Sequence, residues 1–533
     1  MARDGTTLAQ SRRAASPEPL PLTVPLPTIL ALAAVSAVVC LGAYLRFSGL
    51  ATNPGWDPDE GYNFNITWNL LHGRWQMFAL SYTFVQHPPL FYLLGAGAFA
   101  LFGSDLYVLR GLAATCGVVS IGLIYLAGAE LGGRRTGFFA AFLLAIYPAV
   151  VVHNRLAYTY NLGLTLGLAT LLCAARYART RRARWRYAAA IVAGLGLATD
   201  QVGIALVVFV TVVSWLVNRR ATPVTFAVAL APSWAYILTM LATAPSDFLF
   251  DLGTTVNRVT HGGVAVQILQ VLFHYRSFLE YDYWIPIGLI GLFLLESSRA
   301  RALGVGFAAV MLAVTLQIRE VNPFFRTAIP LFGPLALGLG VLVHRAIVAV
   351  FQWLAQIWDQ SLPSWTWPVR SLVIMAGLGL VLGTPIGLAV ALSVLGVQIG
   401  LPYKADWTLA DPAAVREVAA YVNATVSRDE LVIGSANVVW LIEAQVADLH
   451  QSVAAEGLPA AFYPSGIPAR RFQYDPFVGS ARYVITDPFL QRFRQAKEAQ
   501  REDELLRTVE TSWPVAFRSG AYVVYANPAP RSN

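Results

Sequence analysis

Gly55-Trp56-Asp57-Pro58-Asp59-Glu60-Gly61-Tyr62 stands shortly beyond the first long apolar run of the chain, near residues 26–46. It sets three carboxylates within four positions at what reads as a membrane edge, where burying or half-burying acids is costly. A chain this apolar keeps such a cluster for a reason, and chemistry at the outer face of a multi-spanning protein is the reading it supports. Hydrophobic residues are 56% of 533 and charged residues 13%, against about 25% charged in soluble domains. The excess positive charge of +8 gathers in short links between apolar runs, as the positive-inside rule expects. No basic stripe with interleaved aromatics exists, which removes nucleic acid as a partner. Cys40, Cys116 and Cys173 lie inside apolar runs without paired spacing, so they read as packing residues, not a disulfide framework or zinc site.

Apolar segments fall near 26–46, 88–103, 109–131, 137–152, 157–177, 187–200, 201–217, 222–243, 282–296, 300–317, 327–345 and 370–400. A span needs roughly 20 residues, which makes 88–103, 137–152 and 187–200 short. Residues 1–24 read as a disordered cytoplasmic tail and the first run as an uncleaved span, which delivers 47–87 to the outside. The Arg179-Thr180-Arg181-Arg182-Ala183-Arg184-Trp185-Arg186 run belongs inside, yet four apolar segments lie between. The charges therefore require that one of those four fails to cross. About eleven spans follow, over a membrane domain of 25–403, with the amino terminus cytoplasmic. After Leu401 the charge mix becomes ordinary. Residues 404–533 are expected as an extracytoplasmic α/β domain: a helix from Asp411-Pro412, strands at 431–434, 481–487 and 521–525, and a charged helix over 491–509.

Six motifs occur in order: Asp59-Glu60-Gly61-Tyr62, Leu71-His72-Gly73, His87-Pro88-Pro89-Leu90-Phe91-Tyr92, Phe102-Gly103, Arg110 and Gly132-Gly133-Arg134-Arg135. On these the chain resembles the polyprenyl-phosphate-sugar-dependent membrane glycosyltransferases of the GT-C class, relatives of the protein O-mannosyltransferases and aminoarabinose transferases. The resemblance covers roughly residues 25–220 and is looser to 400. It implies a GT-C-like α-helical polytopic fold and transfer of a sugar from a polyprenyl-phosphate donor to an extracytoplasmic glycan, lipid or protein. It also implies a catalytic outer-loop carboxylate, which carries over to Asp59 or to Glu60 beside it; Asp57 is next, because Pro58 fixes the turn between the aspartates.

Elementary chemistry agrees. Transfer through an oxocarbenium-like state needs a base for the acceptor hydroxyl, and the departing phosphate needs cationic partners. The competing reading is that the acids cap a helix starting near Gly61. For the phosphate, Arg326 and then Arg319 precede a Pro-containing late span; His87 before two prolines and Arg155 beside Tyr158 and Tyr160 follow. Arg319 also has Glu320 as a neighbour to pair with, and Arg110 reads as snorkelling to lipid headgroups. Where relatives often carry an acid near 158–161, this chain has Tyr158-Thr159-Tyr160-Asn161. Glu280 and Tyr281, in the stretch Glu280-Tyr281-Asp282-Tyr283-Trp284, with Tyr62, are the acceptor- or sugar-binding candidates, whereas Asp247, Asp251 and His261 read as solvated loop residues. No tight metal motif is present, although a divalent Mg or Mn ion shared by Asp59 or Glu60 and the donor phosphate fits the chemistry. A transporter or flippase of a lipid-linked substrate is the alternative from another class. Its usual mark, repeated halves with ionisable groups at midplane, is missing from the sequence pattern.

Overall fold

The computed structural model describes residues 26–260, 284–317, 329–358, 409–460, 462–495 and 499–530. Its helical part runs α1 (Leu26–Phe47), α2 (Pro58–Leu71), a two-residue hairpin β1 (Gln76–Met77) and β2 (Leu80–Ser81), α3 (Leu90–Phe102), α4 (Leu106–Gly132), α5 (Arg134–Ile146) and α6 (Pro148–Asn154). It continues through α7 (Thr159–Thr180), α8 (Ala183–Leu197), α9 (Ile204–Val217), α10 (Thr222–Thr243), α11 (Pro245–Thr260), α12 (Trp284–Phe293), α13 (Ser298–Gln317) and α14 (Phe332–Trp358). Among the described residues four helical stretches are long and apolar enough to cross a membrane: Ile29–Phe47, Leu106–Gly132, Arg219–Thr243 and Ile329–Ala349. The pair α5 and α6, bent by 62°, makes a fifth if read as one broken span. The last expected span, 370–400, lies outside the described residues.

The α5–α6 break has a local cause. Pro148 has no N–H to give to the carbonyl of Leu144. Arg46 at the end of α1 donates to that carbonyl at 3.0 Å, to Ala145 O at 2.9 Å and to Asn154 Oδ1 at 2.8 Å. A guanidinium from a neighbouring helix thus satisfies the freed backbone.

Opposite ends of the bundle differ in character. At one end Arg179 donates to Glu130 at 3.2 Å, Arg181 to Val217 O at 2.8 Å, and Thr136 meets His344 at 3.2 Å, which gathers the basic links. At the other end lie loop 48–57, α2, the 198–203 turn and α11. Leu90 N bonds to Ala198 O at 3.0 Å, and Gln201 donates to Val85 O at 2.9 Å.

One of the four segments between the first run and the 179–186 arginines is short and packs along the acid-bearing layer. The helix α3 has 13 residues, about 20 Å of helix against about 30 Å of hydrocarbon. It lies along α2: Phe99 meets Phe64 at 5.1 Å, and the space a Gly95 side chain would need is taken by Thr67 and Leu109. Both ends of α3 stay in the acid-bearing layer, because Arg110, only five residues after Asp105, reaches back to Glu60.

The remaining residues build α15 (Pro412–Thr425), β3 (Leu431–Gly434), α16 (Ala436–Val439), β4 (Gln445–Asp448), α17 (Leu449–Ala455), β5 (Ala481–Thr486), α18 (Pro488–Phe493), α19 (Gln500–Ser512), β6 (Val515–Ser519) and β7 (Tyr522–Ala526). The sheet order is β4-β3-β5-β7-β6, with β4, β3 and β5 parallel and β7 and β6 antiparallel. Asp411 caps α15 as expected. The expected helix over 491–509 is two helices, α18 and α19, and β6 carried no sequence expectation. One apolar core joins this sheet to the acid-bearing layer: Trp56, Phe64 and Phe78 pack in it with Val415, Val432 and Trp440.

Candidate active site

The site begins with a helix start. Asp57 caps α2, its carboxylate accepting from Asp59 N at 3.1 Å, and Glu60 returns a bond to Asp57 N at 3.1 Å, which closes a capping box. The capping reading of the acids is thereby realised by two of the three. The helix starts at Pro58, pre-set by its fixed φ for the first helical position, and not at Gly61.

Glu60 is then committed entirely. Oε1 accepts from Arg110 Nε and Ala157 N, each at 2.8 Å, and Oε2 accepts from Arg110 Nη2 at 2.6 Å and Asp57 N. A carboxylate offers about four lone-pair positions, and all four are taken by N–H donors with the side chain fully buried. Arg110 is equally saturated: its remaining hydrogens go to Leu50 O at 3.0 Å, Pro54 O at 3.1 Å and Gly55 O at 2.8 Å. It does not snorkel to headgroups. A charge-assisted, two-point pair inside the layer is the better resting place for a guanidinium beside a buried carboxylate.

Arg155 is spent in the same manner. It is fully buried and donates to Leu45 O at 2.7 Å, Ser48 O at 2.5 Å and Asn53 O at 2.8 Å. Two arginines thus thread loop 48–57 and collect its carbonyls, leaving the loop one conformation. Asp57 is further held by the Tyr158 hydroxyl. Of the three acids only Asp59 is half-buried. A divalent cation shared with a donor phosphate would therefore be held by Asp59, since Glu60 has no lone pair to offer. Among the described residues no group of three or more His, Cys, Asp or Glu side chains gathers as a metal site.

His87 lies in the same layer. Its ring Nδ1 meets the Thr83 hydroxyl, Tyr82 donates to its carbonyl, and its ring sits 6.1 Å from that of Tyr92. Tyr92 donates to Asn63 Oδ1 at 3.0 Å, and Asn63 donates to Ala157 O at 2.8 Å. The His87 region and the Asp59 helix are so connected through Asn63, four positions after Asp59 and on its face of α2. Tyr62 donates to Asp448 Oδ2 at 2.6 Å, so its hydroxyl faces the α/β unit. Burial pushes that hydroxyl well above the ordinary tyrosine range, with the Asp448 carboxylate acting the same way.

The two described loop acids are paired, and Asp251 is not solvated. Asp251 is buried, pairs with Arg471 at 2.5 Å and accepts from Phe84 N at 2.8 Å, and Asp247 pairs with Arg470. Arg319, Arg326, Glu280, Tyr281, His261 and Asp282 lie outside the described residues. Sequence reasoning missed Arg110 as the partner of Glu60, and Arg471 as that of Asp251. The only signal for the first was an arginine in the opening turn of an apolar helix.

Solved structures match this architecture over nearly the whole chain, and two of them carry a lipid phosphate. One is ArnT from Cupriavidus metallidurans bound to undecaprenyl phosphate, at 18% identity, 94% of this chain, 98% of that chain and a TM-score of 0.59. The fold is that of the GT-C glycosyltransferases. The other is the archaeal oligosaccharyltransferase AglB from Archaeoglobus fulgidus, in complex with an inhibitory peptide and a dolichol-phosphate. It matches at 14% identity, 94% and 74% coverage and a TM-score of 0.57. Residues 86–246 also match the family described as dolichyl-phosphate-mannose-protein mannosyltransferase. Comparison with curated proteins finds no match.

Proposed function

We propose that this protein transfers a sugar from a polyprenyl monophosphate carrier to a hydroxyl of an extracytoplasmic glycan, lipid or protein, with Asp59 as general base. The observation that carries the reading is the division of labour in the acid cluster. Asp57 caps α2 and Glu60 is buried in the Arg110 pair, whereas Asp59 stands half-exposed in the first turn of the same capped helix. In the step itself Asp59 takes the acceptor proton and the freed oxygen attacks the anomeric carbon. The bond from that carbon to the phosphate oxygen breaks, and the carrier phosphate leaves with the electron pair. His87 is the described candidate for that phosphate; Arg326 and Arg319 complete the proposal, and Arg155 leaves it because its donors are occupied by backbone carbonyls. Glu280 and Tyr281 stay proposed for the acceptor.

The same reading sets the acid-bearing layer and the domain 404–533 outside the membrane, the basic end in the cytoplasm, and about eleven spans within 25–403. Support comes from the fold, whose matched ArnT structure holds undecaprenyl phosphate, and from the gathering of the basic links at one end. The test incubates the purified full chain with a panel of polyprenyl-phospho-sugars and compares it with Asp59→Asn. Transfer by the wild type and its loss in the variant are expected; equal transfer by both sinks the assignment of the base.

A further inference from the structure

The α/β unit has the topology of a ligand-binding sheet. Chain order reverses at β3, with β4 on one side and β5 on the other. In open α/β sheets, ligands sit outside the carboxyl ends of the parallel strands near such a reversal. Here those ends carry Asp448 after β4, Ser435 after β3 and Asp487 after β5, each at the start of the next helix.

What lies across the β3 and β4 ends is α2. A Cβ on Gly61 would stand 1.9 Å from Ala436 O and 2.5 Å from its carbonyl carbon, so the two backbones touch and only glycine fits. One residue on, Tyr62 bonds to Asp448, which also accepts from Tyr463 at 2.7 Å and from Gln451 N at 2.7 Å. The ring of Tyr62 rests against Phe78, 5.5 Å between centroids. Gln451 reaches past it to Ala79 N and Met77 O, each at 3.0 Å, tying the β1–β2 hairpin to the same edge.

Helical spacing then places Asp59. Residues three and four apart share a face, so Asp59 projects between Tyr62, which is bonded to the sheet unit, and Asn63, which is bonded to Ala157 and Tyr92 of the helical layer. The acid stands over the seam where the two parts meet. Resting on the reading of Asp59 as base, we propose that the α/β domain is a clamp for the Asp59-bearing helix, with Gly61, Tyr62 and Asp448 as positioning residues. The sheet edge that would elsewhere receive a ligand receives the enzyme's own catalytic helix.

The test uses the full chain in detergent with the donor found active in the panel. Loss of the Tyr62–Asp448 bond in Tyr62→Phe should lower kcat about tenfold, with donor KM unchanged, because small misplacements of a reacting group are costly. Its melting temperature and its thermal shift with undecaprenyl phosphate should match the wild type. Gly61→Ala, which must push α2 off Ala436, should lose more activity than Tyr62→Phe. If Asp59→Asn abolishes transfer while Tyr62→Phe and Gly61→Ala turn over at the wild-type rate, the clamp is overturned and the base stands. If Tyr62→Phe instead loses melting temperature and undecaprenyl phosphate binding along with rate, its role is ordinary stability and the clamp is again overturned. If Asp59→Asn transfers normally, the base assignment fails, and the clamp fails with it.

Discussion

Asp59 and Glu60 are adjacent carboxylates that the helix turns in different directions, and the first turn of α2 decides what each can do. Glu60 points inward, where four N–H donors, two of them from the Arg110 guanidinium, hold it. Replacing it by glutamine leaves Arg110 buried with no counter-charge, and breaking a buried pair in that way costs about 3–5 kcal/mol. Glu60→Gln should therefore melt well below the wild type, and any activity loss should follow loss of folded protein. Asp59→Asn should behave oppositely. Its side chain is half-exposed and asparagine keeps its shape, so melting should change little while turnover falls by about 10²–10⁴, the usual contribution of a positioned base. Thermal melting and initial rates on the two variants separate the roles, and equal behaviour would refute the division. From sequence the two acids were equivalent candidates, as were Arg155 and His87 for the phosphate. The deciding facts are contacts between residues 50 to 110 positions apart, such as Glu60–Arg110 and Arg155–Leu45, which no local pattern announces.

At the scale of elements, most apolar runs among the described residues were read as helices to within a few residues, because a stretch with no polar face has one way to satisfy its backbone in lipid. Run 137–152 proved to be two helices, and run 327–345 a helix that continues to Trp358. The standing of α3 was not so legible. Its composition is that of a span, and only the arginine run at 179–186 signalled that one of four segments fails to cross. Its short length and its packing on α2 are the grounds on which we propose α3 as that segment. In the sheet unit, β3, β5 and β7 were visible as apolar runs, whereas β6, an exposed edge strand, was not. The short α16 depends on polar groups at its start: Ser435 bonds both Asn437 and Asp487, and burial pushes the Asp487 carboxyl up from 3.8 to about 6. The folded state thus holds this proton more tightly than the unfolded chain. The resulting stability is full below pH 3.8 and is lost as pH rises through about 6. A shift of this size corresponds to roughly 3 kcal/mol. Asp487→Asn, which keeps the cap on α18, should remove that dependence. Its stability relative to wild type should rise between pH 4 and pH 7, measured by melting at each pH, and a constant difference would show that Asp487 does not titrate there.

Across the whole molecule, two layers of opposite character cap a helical bundle, and this polarity makes sidedness testable without knowing the substrate. Glu130, Arg179, Arg181 and His344 mark one end; the acid-bearing layer and the sheet unit, joined through Trp56 and Trp440 at 5.1 Å and the Trp56–Ala410 bridge, mark the other. On the proposed orientation residues 74, 104 and 466 share one side, even though an apolar helix of 13 residues lies between the first two. A reader counting hydropathy peaks would place 104 across the membrane from 74. In a variant with Cys40, Cys116 and Cys173 replaced by alanine, single cysteines at Arg74, Ser104, Gly466 and Arg182 occupy exposed positions. The first three should react with a membrane-impermeant maleimide in intact cells, and the cysteine at 182 only after permeabilisation. Labelling at 104 that needs permeabilisation would make α3 a span and dissolve the acid-bearing layer as drawn. Labelling at 182 from outside would invert the molecule and set Asp59 on the cytoplasmic face, where the proposed extracytoplasmic acceptor could not reach it.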